Sequence, residues 1–227
     1  MARFLSMAIA LTVIERVFAE RLTSHGRKPS SLRTKSLTTN RNAAVDGMLA
    51  PSPFVRRFAP RISEAAASLP ILDVASGSGR NALRLAELGS LVICIDNDPS
   101  RMQVPCCVHG PGRVEFMKLD LKLEPWPFGP NSVGGIINVH FYLAELLPHF
   151  ATALRPGSYL LLESFPGCGG NYLQLPPAGF VSSVLSKTLD LHFYKERRVG
   201  PNGTDAVTVH LLAQKRSLAE QNDPATA

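Results

Sequence analysis

Leu72-Asp73-Val74-Ala75-Ser76-Gly77-Ser78-Gly79 sits in the first third of the folded region and fixes the reading of the chain. A short, mostly apolar run leads into it from Ile71. Out of it runs Arg80 onward, where Ala82, Leu83, Leu85 and Leu88 fall at helical spacing. The order is strand, tight glycine turn, helix. Gly77 and Gly79 permit positive φ and leave no Cβ between the main chain and a ligand. In an open α/β sheet such a turn lies at the carboxyl ends of parallel strands, where ligands bind.

The pattern continues outward from this turn. Residues 91–95 form a second buried strand, ended by Asp96-Asn97-Asp98-Pro99-Ser100. Residues 114–119 give a third strand with Asp120 at its exit, and residues 133–139 give a fourth, rich in β-branched residues and glycine. A helix is expected over 143–154, stopped by Arg155-Pro156-Gly157, and a fifth strand over 159–162. Strands alternating with helices imply βαβ units, and near-continuous apolar strands imply a parallel sheet covered on both faces. The tail differs: a helix over 177–187, then strands over 191–199 and 206–215 joined through Asn202-Gly203, a hairpin signal. Upstream, Pro51-Ser52-Pro53 is a breaker cluster. After it, Phe54, Val55, Phe58 and Ile62 mark an amphipathic helix with Arg56, Arg57 and Arg61 outward.

The bulk numbers bound the rest. A chain of 227 residues, 45% hydrophobic and 19% charged, suits one globular domain plus an extension. The expected division is a basic extension over 1–47, a domain over 48–216 and a polar tail over 217–227. Residues 1–47 hold eight of the 24 Lys/Arg and three of the 18 acids, so most of the net charge of +6 belongs there. The remainder is nearly neutral, which gives the domain no long-range attraction for nucleic acid. The apolar run near Phe4 is too short to cross a bilayer, which takes ~20 residues. Three readings of the extension stand: a signal peptide, an organelle transit peptide, or an upstream segment before a start at Met48. Of the cysteines, Cys106-Cys107 fits neither a C-x-x-C metal site nor a disulfide framework, and Cys94 lies in an apolar run. No metal is expected, and the usage suits a reducing, cytoplasmic compartment.

Two cofactor classes suit the glycine turn. Gly77-Ser78-Gly79-Arg80-Asn81-Ala82 satisfies the dinucleotide fingerprint G-x-G-x-x-G/A. S-adenosylmethionine (SAM) brings an ammonium instead of a pyrophosphate, and Asp73, four residues before Gly77, attracts an ammonium and repels a pyrophosphate. Asp73 therefore tilts the choice to SAM. Asp96, nineteen residues after Gly77, can accept from both ribose hydroxyls, and Asp120 can accept from the adenine amine. Singly, each acid could equally be a turn or cap residue. Three acids at successive strand ends are harder to assign to turns alone.

These residues resemble class I SAM-dependent methyltransferases. Leu72 to Gly79 is similar to their first motif, Ile95-Asp96 to their second-strand acid, Leu119-Asp120-Leu121 to that of the third strand, and Leu154-Arg155-Pro156-Gly157-Ser158 to their L-x-P-G-G turn. Gly79-Arg80-Asn81 is also weakly similar to the GRN stretch of the tellurite-resistance type. The resemblance implies a Rossmann-like three-layer α/β sandwich, with a seven-stranded, mostly parallel sheet ending in an antiparallel hairpin. It implies that Asp73, Gly77 and Gly79 hold the methionyl end, with Ala75 of the same turn a further cofactor contact. Asp96 would take the ribose, Asp120 the adenine, and Asn138 would lie beside the transferring methyl. The chain departs from the family at Val133-Gly134, where Phe-Asp is common, at Ser158 and at Ser76.

For methyl transfer the expected catalytic residues are His140, as a base, and Tyr142, orienting the acceptor, with Glu163 able to pair with a cationic one. Residues 165–172 suit a mobile flap. The amino-methyltransferase signature is absent after the fourth strand, so a small-molecule acceptor is expected, without nucleic acid or membrane. The alternatives are a non-catalytic SAM-fold scaffold and an NAD(P)-binding oxidoreductase.

Overall fold

Ser52 caps the first of the described helices: its Oγ accepts from the amide of Phe54 at 3.1 Å, and Pro53 takes the first helical position, where no N–H is needed. The protein is described from a computed structural model over residues 50–103, 110–165, 174–200 and 204–217. The expectations for residues 1–47 and for the tail from residue 218 lie outside these residues.

Helix α1 (Pro53–Ala66) is followed by β1 (Ile71–Val74), α2 (Arg80–Glu87), β2 (Leu91–Asp96), a single 3₁₀ turn (Pro99–Arg101) and β3 (Arg113–Lys118). Then come β4 (Val133–Val139), α3 (Leu146–Ala153), β5 (Leu154–Glu163), α4 (Phe180–Leu185), β6 (Leu189–Arg198) and β7 (Val207–Lys215). The strands form one seven-stranded sheet in the order β3-β2-β1-β4-β5-β7-β6. All pairings are parallel except β5·β7 and β6·β7.

Two apolar layers cover the sheet. Val55, Ala59 and Ile62 of α1 and Ala82 and Leu85 of α2 pack on Ile71, Cys94 and Ile137. On the opposite face, Leu147 and Phe150 of α3 and Val181 and Leu185 of α4 pack on Leu72, Val74 and Ile136. Because strand side chains alternate, Leu72 and Val74 face one layer while Ile71 and Asp73 face the other. The three-layer sandwich is therefore as expected.

Some boundaries differ from expectation. Arg155-Pro156-Gly157 does not follow a helix running to Leu154. The helix ends at Ala153, and Leu154 already pairs with Val133. The turn bulges from β5, since the next pairing is Gly135 with Tyr159. Arg155 uses the bulge to reach back and donate to the Ala65 carbonyl at 2.7 Å, near the end of α1. Helix α4 starts at Phe180 rather than 177, because Pro177 bridges Ala206 and its neighbour Pro176 accepts from Val207. Leu143 lies outside α3, and the hairpin strands begin and end within two residues of expectation.

Candidate active site

The carboxyl ends of β1, β2 and β4 meet at the glycine turn. Gly77 (φ +54°) donates its amide to Asp96 Oδ2 at 2.8 Å, and the Asp98 amide donates to Asp96 Oδ1 at 3.1 Å. The Asp96 carboxylate is thus clamped, nearly buried, between two main-chain donors, each oxygen keeping a lone pair for a further donor. Ser76 ties the turn to β2 by donating to the Ile95 carbonyl at 3.0 Å. Ala75, at the exit of β1, also has positive φ (+57°), as does His140 (+63°) at the exit of β4. A non-glycine residue in this region costs roughly 1–2 kcal/mol, and two of the four such residues among those described, Ala75 and His140, stand at the sheet edge where the clefts open.

Two clefts of about 230 Å³ each flank this edge. Ala75, Arg101 and Phe141 line both. One continues past Asp96, Asn97, Leu119 and Asp120. The other continues past Gly77, Ser78, Arg80, Asn81, Val139 and His140. Arg101 marks the divide. Its Nη1 is 3.8 Å from Asp96 Oδ1, its side chain is 60% exposed, and its Nη2 would stand 3.2 Å from a Cβ built on Gly77.

The expected site residues divide into two groups. Ala75, Gly77, Asp96, Asp120 and His140 come together on the clefts. Asp73, Gly79, Asn138 and Tyr142 line neither. Asp73 lies beneath the turn and accepts from the Ala82 amide at 3.1 Å, fastening β1 to the first turn of α2. Burial pushes its carboxyl up to about 7, against the opposing pull of the Ala82 amide and the Arg80 charge. Gly79 (φ +77°) caps α2. Asn138 donates to the Val74 carbonyl at 3.1 Å, a buried tie between β4 and β1. Tyr142 packs on the α3 layer, its hydroxyl without a hydrogen-bond partner among the described residues. Burial, then the nearby Glu145 carboxylate, push that phenol up to about 12. Asp98 is the cap of the 3₁₀ turn, accepting from the Ser100 amide and hydroxyl.

A second cluster lies beside the His140 cleft, and two of its members, Ser52 and His210, carried no sign of this role in the sequence. Glu163 ends β5 and accepts from the Ser52 hydroxyl. On its other oxygen, Oε1, His210 Nε2 lies at 3.4 Å and His140 Nε2 at 4.0 Å. The His140 amide also donates to the Glu163 carbonyl at 2.7 Å. Asn81, on the cleft, accepts from the Ser52 amide at 2.9 Å, joining the glycine turn to this cluster. His210 stands directly across from Glu163 in the antiparallel β5·β7 register, a placement only pairing reveals. Of the expected flap, only Phe165 is among the described residues; its ring lies 5.3 Å from that of His140.

A parallel sheet in the order β3-β2-β1-β4-β5, closed by an antiparallel β7 inserted beside β5, now stands together with a glycine turn clamped on a second-strand acid. The chain has the class I methyltransferase fold. A SAM-dependent methyltransferase from Methanosarcina mazei matches 69% of this chain and 97% of its own, at 18% identity and a TM-score of 0.50. The [4+2]-cyclase SpnF matches 93% of this chain and 95% of its own, at 14% identity and a TM-score of 0.52. A TehB-like SAM-dependent methyltransferase from Corynebacterium glutamicum matches 78% and 94%, at 16% identity and a TM-score of 0.48. No family model and no curated protein sequence matches the chain. The class I methyltransferase fold accounts for the antiparallel hairpin, which a doubly wound dinucleotide fold does not carry.

The residues on the clefts fit SAM. A carboxylate clamped by two amides offers two acceptor positions to a vicinal diol, and the clefts on either side of Ala75 divide as a nucleoside and an amino acid would need.

Proposed function

We propose that the chain is a SAM-dependent methyltransferase that transfers a methyl group to a small-molecule acceptor by in-line displacement. The observation that carries this reading is the clamped Asp96 at the junction of the two clefts. Asp96 would hold the ribose, Asp120 the adenine, and Ala75 and Gly77 the methionyl end. When bound, the cofactor supplies a methyl group made electrophilic by its sulfonium. The protein's part is to align the acceptor and exclude water. His140, which lines the cleft assigned to the methionyl end, would receive the acceptor's proton.

A small acceptor, without nucleic acid or membrane, is supported by the near-neutral charge of residues 48–227. Among the described residues no helix is long and apolar enough to cross a membrane. The cytoplasmic assignment rests on cysteine usage, and Cys94 is a free, buried thiol. The oxidoreductase alternative is disfavoured by the sheet order.

Calorimetric titration of the full chain with SAM, with NAD as control, tests the reading. SAM is expected to bind at micromolar concentration and NAD not at all. Asp96→Ala is expected to lose about 1–3 kcal/mol, roughly 5- to 150-fold in Kd, since the lost bonds go to a charged acceptor. A folded protein that ignores SAM would refute the assignment.

Arg101 supplies a second measurement. Its guanidinium occupies the Asp96 side of the divide and repels a cationic cofactor. The guanidinium is largely exposed and 3.8 Å from the buried carboxylate, so the effect is small. Arg101→Ala is expected to tighten SAM about two- to fivefold, an advantage that shrinks in high salt. Weaker binding by the variant would instead make Arg101 a cofactor contact.

A further inference from the structure

We infer that Glu163, His210 and His140 form one proton-handling unit, and that the acceptor it serves is a flat molecule bearing a neutral hydroxyl or thiol rather than an ammonium. This rests on the cofactor reading above and extends it to the acceptor.

Exposure decides the roles. The Glu163 side chain is only 12% exposed, whereas His140 is 44% and His210 39% exposed. Both Glu163 oxygens are engaged from within, Oε2 by the Ser52 hydroxyl and Oε1 facing the two imidazoles. A cationic acceptor therefore meets imidazoles, not the carboxylate. An imidazole offers an ammonium no charge compensation, but it takes a proton from a hydroxyl or thiol. The walls agree. Phe165, more than half exposed, lies beside His140, and Phe54 meets His210 edge-on at 5.2 Å. Aromatic rings flanking a base suit a planar apolar body with one protic group.

The chemistry balances. With the cofactor bound, the acceptor oxygen or sulfur would bond to the methyl carbon while the methyl carbon–sulfonium bond would break, its electron pair staying on the cofactor's sulfur. The acceptor's proton passes to His140, and the imidazolium formed is stabilised by Glu163. His140 touches the cleft and is the catalytic base. Glu163 is a positioning residue that holds the imidazole, as a base is oriented by a third group in acyl-transfer sites. His210, opposite Glu163, shares the carboxylate and gives the proton a route outward. The groups facing His140 are Glu163 on β5, His210 on β7 and Arg80 at the start of α2. Burial first, with Arg80 and His210, holds its imidazole below the ordinary value against the pull of Glu163, so it is neutral and ready to accept near pH 7.

The test follows the imidazole signals of the full chain by NMR, saturated with S-adenosylhomocysteine, with signals assigned through single His→Gln variants. Catechol, as the hydroxyl probe, is expected to shift the His140 and His210 signals saturably, and benzylamine not to. Glu163→Gln is expected to lower the His140 midpoint by about one pH unit while leaving His149, on α3, unmoved. A response to benzylamine in place of catechol, a response to neither, or an unchanged midpoint in Glu163→Gln would overturn the inference. Those failures are distinct from failure of the cofactor reading, which would show as no binding of S-adenosylhomocysteine and would remove both.

Discussion

Gly134→Ala is expected to destabilise the protein by about 3 kcal/mol or more, at or beyond the upper end for overpacking in a core. Gly134 lies in β4 beneath the end of α1. A Cβ there would stand 2.5 Å from the Ala66 carbonyl oxygen and 2.8 Å from the Ala66 Cα. Both are main-chain atoms, so relief requires moving α1 or the central strand. The strand is held in turn, since the Gly134 amide donates to the Pro70 carbonyl at 2.9 Å. Gly135 is the control. Its added Cβ would meet side-chain atoms of Ile62 at 3.1 Å and Ile71 at 3.4 Å, which can shift by rotation. Gly135→Ala should cost about 1 kcal/mol. Urea denaturation of both variants checks the contrast, and equal costs would mean that α1 does not press on β4 as described. The same contact gives a physical reason for one departure from the family. Where Phe-Asp is common, Val133-Gly134 lets α1 descend directly onto the sheet.

That descent also places Ser52, the cap of α1, against Glu163 and Asn81, so a packing feature of the core positions part of the site. The glycine turn and Asp96 were legible in the sequence because their signal is local: strand, turn and helix fall within one short stretch, and the acid ends the next strand. Asp73 and Asn138 were legible as residues but not as contacts. In a parallel strand buried on both faces, apolarity does not show which face a polar residue takes. Asp73 proved to be tied to Ala82 and Asn138 to Val74. His210 carried no signal at all. Its meaning depends on the pairing of β5 with β7, between segments more than forty residues apart. Glu163 was visible, but its Ser52 bond comes from 111 residues away and changes its role from acceptor contact to support for an imidazole. Arg101 ends the 3₁₀ turn after β2, and nothing in its neighbours' pattern aims it at Asp96.

Asp73→Asn is expected to make the protein more stable above pH 7 and poorer at holding its cofactor. Burial raises the Asp73 carboxyl from the ordinary aspartate range to about 7. Between about pH 4 and 7 the unfolded chain has released this proton while the folded chain keeps it. The folded state then binds more protons, so stability falls as pH rises through that window. The loss is complete above pH 7 and is on the order of 4 kcal/mol at most, at 1.36 kcal/mol per unit. Asparagine carries no proton to lose, and its carbonyl oxygen still accepts from Ala82. Relative to wild type, the variant should gain stability steadily from pH 4 to 7 and hold that gain above. The cofactor effect has the opposite sign. A cation in the cleft above Asp73 favours the ionised carboxylate, so binding to the wild type near pH 7 should release protons. Without that charge, SAM affinity should fall roughly tenfold, by about 1–2 kcal/mol at an effective dielectric near 20. Denaturation curves at pH 5 and 8, with titrations in buffers of different ionisation enthalpy, separate the two effects. Parallel stability curves for variant and wild type would show that Asp73 stays ionised in the fold. Equal proton release by both would assign the linked proton to another group. The buried acid thus opposes stability at neutral pH, and this opposition is what a cationic ligand relieves on binding.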